Sequence, residues 1–151
     1  MMTLVFGIDQ RRWFDRMQPQ TLQIATMLAY LECFFSAVAI LDGGGYLGFL
    51  ANHSVWWFVV AVASTAALAV GGLLMANGRR LGWRILVVAA FSPFVLRIAT
   101  MLILGAWSAS PLDWIIARPA GGSFLTIIFD GALVALLLHP QSRDHQRIWL
   151  A

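Results

Sequence analysis

Apolar residues gather into four long stretches, at 21–41, 55–76, 84–107 and 121–139, and polar residues fall mostly in the joints between them. Each stretch approaches or exceeds the roughly 20 residues that a helix needs to cross a hydrocarbon core near 30 Å thick. The pattern predicts an all-α integral membrane protein, a single domain built as a four-transmembrane-helix bundle, with polar tails at 1–20 and 140–151. Asp42-Gly43-Gly44-Gly45 ends the first helix and predicts a hairpin loop to Ser54. Asn77-Gly78-Arg79-Arg80 predicts a tight basic turn, and 108–120 a second loop in which Pro111 opens a short interfacial helix. In the N-terminal tail, Leu4, Phe6, Trp13 and Phe14 interleave with Arg11, Arg12 and Arg16, the composition of a helix lying in the interface.

Within the spans, the exceptions to apolarity carry the information. Glu32 lies in the first, Arg97 in the third and Asp130 in the fourth. At 1.5 Å per residue all three fall roughly 14–15 Å below the outer surface. Ser64 and Thr65 reach that level in the second span, and Thr126 lies one turn before Asp130. A charged side chain at such depth costs roughly 2.5–3.5 kcal/mol on insertion scales, so the three are expected to compensate one another. The planar fork of Arg97 can serve two carboxylates and keeps its proton. Two acids and one base leave a net charge of −1, so one acid is expected to hold a proton. Pro93, one turn before Arg97, removes a backbone donor and predicts a kink with a freed carbonyl at Ala89. Ala63, Ala67 and Gly71 recur every four residues and predict a small-residue packing seam.

Composition agrees with the pattern. Hydrophobic residues make up 60% and charged residues 11%, against roughly 45–50% and 25% in soluble domains. All ten basic residues are Arg. Arg11, Arg12, Arg16, Arg79, Arg80, Arg84, Arg143 and Arg147 fall on one side of a four-span layout, and only Arg118 on the other. The positive-inside rule therefore predicts a multi-pass protein of the inner (plasma) membrane with both termini cytoplasmic. It also accounts for the net charge of +3 without nucleic acid as a partner. The charged N-terminus does not read as a cleaved signal peptide.

Several chemistries lack their residues. His53, His139 and His145 lie in loops or at helix ends, where no facing pair can ligate haem. Cys33 is alone, so neither a disulfide framework nor a dithiol redox centre forms within one chain. His139, Asp144 and His145 make a metal site only if the tail folds back, and the triple glycine lacks the Lys-Ser/Thr of a phosphate loop. No cofactor, metal or enzymatic activity is predicted.

The junctions Asn77-Gly78-Arg79-Arg80-Leu81-Gly82-Trp83-Arg84 and Leu138-His139-Pro140-Gln141-Ser142-Arg143 give a layout that resembles small four-span membrane proteins of actinobacterial type, a group without an assigned activity. The resemblance implies topology and no reaction. Small multidrug exporters also have four spans and an acid in the first, as Glu32 is here, but Arg97 and Asp130 depart from that pattern. Two functions remain as expectations. One is a non-catalytic accessory or scaffold subunit that binds another integral protein, or a second copy, through the Ala63–Ala67–Gly71 seam. The other is a small proton-coupled transporter or channel with Glu32 or Asp130 as proton carrier. A cavity reaching Glu32, or a broken helix at Pro93, would favour transport; a dry, fully paired cluster would favour the scaffold.

Overall fold

The computed structural model describes residues 20–149, with side chains through 146, and every regular element in it is helical. The proposed N-terminal interfacial helix lies outside the described residues. Four helices form a closed ring: α1 (Gln20–Asp42) packs on α3 (Val55–Ala76), α3 on α4 (Arg80–Ile103), α4 on α6 (Phe124–Leu138), and α6 back on α1. Three of them, α1, α3 and α4, are long and apolar enough to cross a membrane.

The α3–α4 hairpin is the closest pairing. Gly78, at φ +76°, turns the chain where a side chain would be strained. A Cβ on Gly71 would stand 2.8 Å from the Leu86 backbone nitrogen, so the two helix backbones all but touch there. The three positions of the sequence-predicted seam do not share one face of the bundle. Ala63 is exposed, Ala67 is half-buried, and only Gly71 is buried. Steps of four residues advance 400° around a helix, so three such positions drift by about 80° off one face. The buried face of α3 instead runs Ala61, Thr65, Leu68, Gly72, Met75, the i, i+4, i+7 spacing of a single contact stripe.

Other boundaries also differ from the sequence reading. The expected loop after the first span holds a helix, α2 (Gly45–His53), folded back on the end of α1. Gly48 makes this possible, since a Cβ there would stand 2.1 Å from the Gly43 carbonyl carbon. Helix α4 occupies 80–103 rather than 84–107, because Gly105 at φ +62° turns the chain away after Ile103. The fourth apolar stretch is shorter than predicted. α6 has 15 residues, about 22 Å of helix, and meets the preceding α5 (Pro111–Ile116) and a 3-10 turn (Arg118–Ala120) at 114°. Gly121 at φ +77° makes that bend, and the Ser123 hydroxyl then caps α6 by accepting the Leu125 N–H at 3.2 Å.

The tail is helical as well. Pro140 opens α7 (Pro140–Trp149), and buried Ser142 donates to the Leu136 carbonyl at 2.7 Å and meets the Thr21 hydroxyl at 3.0 Å. This fastens α7 to the first turn of α1. Pro93 is buried inside α4, and the helix continues through it. The Ala89 carbonyl that Pro93 leaves without its usual partner accepts the Ser92 hydroxyl at 2.7 Å, so the predicted freed carbonyl is satisfied within its own turn.

Two apolar cores result. Toward the α3–α4 turn, Leu22, Ala25, Leu68, Met75, Leu86, Leu133 and Leu137 close the ring. Toward α5, a second cluster gathers Tyr46, Leu47 and Leu50 of α2 with Ala61, Leu96, Met101 and Ala117. Buried polar residues lie between them.

Candidate functional site

Arg97 projects from α4 into the gap between the two cores and is only 1% exposed. Its Nη2 donates to the Asp130 carboxylate and, at 3.1 Å, to the Thr126 hydroxyl. Thr126 in turn donates to the Ser123 carbonyl at 2.7 Å, one turn earlier. Asp130 and Thr126 reach the same guanidinium because they stand four residues apart on α6. Aromatic faces cover the cation: its central carbon lies 4.8 Å from the Tyr46 ring centre and 5.8 Å from that of Phe94. Bidentate pairing of the fork with two carboxylates does not occur.

Glu32, 8% exposed, comes to this layer from α1 and stands within electrostatic reach of both Arg97 and Asp130. Neither Glu32 oxygen has a hydrogen-bond partner among the described residues, and neither do Nε and Nη1 of Arg97. The arrangement is thus one closed ion pair with a third ionisable group beside it. A buried carboxylate without a partner is costly, whereas its protonated form carries no net charge into the site.

Ser64 and Thr65, at the same level on α3, stay out of the cluster. Both hydroxyls donate to the Ala61 carbonyl of their own helix at 2.9 Å, the local back-bonding common for these residues in helices. Thr126 is the accompanying polar residue that does join. Cys33, next to Glu32, is half-buried against the first core.

A cleft of about 230 Å³ runs from this layer toward α5. Glu32, Arg97, Thr126 and Asp130 form its polar end, while Phe35, Ala39, Leu47, Leu125 and Phe129 supply apolar walls. Gly45 and Gly121 close the far end, where a Cβ on Gly121 would stand 3.3 Å from the Gly45 Cα. Between α1 and α6 the lining residues Phe35 and Leu125 are 56% and 61% exposed, so the cleft opens sideways. Sequence reasoning missed Tyr46 and the Gly121–Gly122 rim. Tyr46 directly follows the glycine run, and that run reads as loop.

No three His, Cys, Asp or Glu side chains converge as metal ligands among the described residues. Comparisons with protein-family models, curated proteins and solved structures find no match. Among the described residues, the fold and site define an all-helical protein with three helices able to cross a membrane and an ion pair buried between α4 and α6.

Proposed function

We propose that the chain is a four-span protein of the bacterial inner membrane, both termini cytoplasmic, that couples proton movement to a small solute at the Glu32–Arg97–Asp130 cleft. The uneven arginines, with Arg79, Arg80, Arg84 and Arg143 at one end of the ring and Arg118 at the other, support the orientation. α6 serves as the fourth span, with the bend before it at one membrane surface.

One observation carries the functional reading: Glu32 is buried, lines a cleft, and has no hydrogen-bond partner among the described residues. Asp130 balances Arg97 and is needed ionised. Glu32 is the acid in excess, so it can take and release a proton while the Arg97–Asp130 pair stays closed. Continuity of α4 through Pro93 argues against a hinge there and assigns access to the α1–α6 side.

The test is proton flux into liposomes carrying the purified chain. Glu32→Gln is expected to lower flux at least tenfold while the protein remains folded. Wild-type flux in Glu32→Gln would end the reading.

A second reading, as an accessory subunit for another integral protein or a second copy, draws on the outer face of α3. There Val59, Ala63, Ala66 and Val70 are all exposed, so a foreign helix could approach closely. Native purification followed by intact mass tests it, with a partner at fixed ratio as the supporting result.

A further inference from the structure

Two kinds of unmet hydrogen-bonding capacity belong to residues at the polar end of the cleft. Glu32 has two acceptor oxygens without partners, and Arg97 has Nε and Nη1 donors without partners. A simple anion would answer Arg97 and leave Glu32 stranded. A simple cation would answer Glu32 and leave the Arg97 donors stranded beside another positive charge. A metal ion would find a single carboxylate free, since Asp130 is already held. A group that carries a primary ammonium a few bonds from an anionic oxygen answers both.

Size and access narrow the choice further. At about 230 Å³ the cleft is smaller than the roughly 300–1,000 Å³ of sites for drug-sized molecules, so it takes a headgroup and no more. The glycine contact between Gly45 and Gly121 closes the end toward α5. The open side, between Phe35 and Leu125, faces the region that lipid occupies around a membrane protein. A ligand entering there can leave its acyl chains in the bilayer.

We infer that the cleft binds the zwitterionic headgroup of an aminophospholipid, its ammonium on Glu32 and its phosphodiester on the free donors of Arg97. The inference rests on the proposed membrane reading of the cleft but not on proton movement. The guanidinium keeps Asp130 on Nη2 and offers the phosphodiester a single N–H, from Nη1 or Nε, on a different side of the fork. Phe35, Leu125 and Phe129 line the exit for the chains.

The experiment is native mass spectrometry of the full chain, with ethanolamine and choline phospholipids of identical acyl chains in competition. The two headgroups differ in the N–H donors that Glu32 would accept. Wild type is expected to retain the ethanolamine lipid roughly tenfold better, the scale of a hydrogen bond to a charged group. Glu32→Gln is expected to erase that preference at unchanged melting temperature. Equal retention by wild type, or an undiminished preference in Glu32→Gln, overturns the proposal.

Two further ligands test its parts. A long-chain primary alkylamine lacks the phosphodiester and is expected to bind more weakly; equal binding overturns the role of Arg97. Water-soluble glycerophosphoethanolamine is expected to compete poorly. Competition equal to the lipid's would overturn sideways entry and move the source of the zwitterion to solution. No proton gradient enters these measurements, so loss of lipid preference and loss of flux are separate results.

Discussion

The two ends of the helical ring are built on opposite rules. Toward the α3–α4 turn, Leu68, Leu86, Leu133 and Leu137 meet in a core where all four helices contribute and side chains are fully enclosed. Toward α5, the ring is stoppered by α2 and the Gly121 bend, and a cleft remains along α1 and α6. The difference traces to helix length and residue size. Glycines let α3 and α4 approach along the turn end, whereas α6 starts only at Phe124 and leaves the other end to shorter elements. A bundle can thus hold its shape with one end and keep a binding space in the other.

The sharpest way to break this comparison is at the layer between the ends. Arg97→Leu leaves Asp130 buried without its cation and is expected to cost about 3–5 kcal/mol, the penalty typical of a broken buried pair. Adding Glu32→Gln and Asp130→Asn is expected to restore much of that loss. Thermal unfolding of the three proteins in one detergent reads both effects, and unchanged melting in Arg97→Leu alone would mean the pair is idle.

Next in size is a matched truncation at the two ends. Leu133→Ala empties space in the enclosed core and is expected to cost about 2–5 kcal/mol. Leu125→Ala, on the same helix at the cleft mouth, is expected to cost about 0.5 kcal/mol or less. Equal losses would show that the mouth is packed as tightly as the core.

The smallest effect is expected from Glu32→Gln, within about 0.5 kcal/mol of wild type. A neutral amide replaces a group that makes no hydrogen bond with the described residues, so its loss should register in proton flux and lipid choice while melting stays put. A large drop in stability would make Glu32 a structural member of the ion-pair layer.

Much of the helical layout was legible in the sequence, because lipid enforces long apolar runs and internally satisfied backbones. Val55–Ala76 lies where its apolar run lies, and Gln20–Asp42 extends its run by one residue at each end. The polar layer was legible in part: a charge in an apolar stretch needs an answer, and depth arithmetic brings Arg97 and Asp130 to one level. What stayed hidden depends on three-dimensional detail. Glycine has two uses, and the run at 43–45 reads as loop although Gly48 lets α2 fold onto α1. Ser64 and Thr65 share the depth of the cluster, but depth says nothing about direction, and their hydroxyls turn back to their own helix. The Ala63–Ala67–Gly71 repeat departs from the 3.6-residue period, so Gly71 packs inside the ring while Ala63 faces outward.

The bridge between Ser142 and Thr21 has a consequence in time. It joins positions 121 residues apart in the chain, a separation that takes a ribosome roughly 6–24 s to synthesise. For most of that interval α1 is already made, with Glu32 on it, before Asp130 and then the clasp at Ser142 are added.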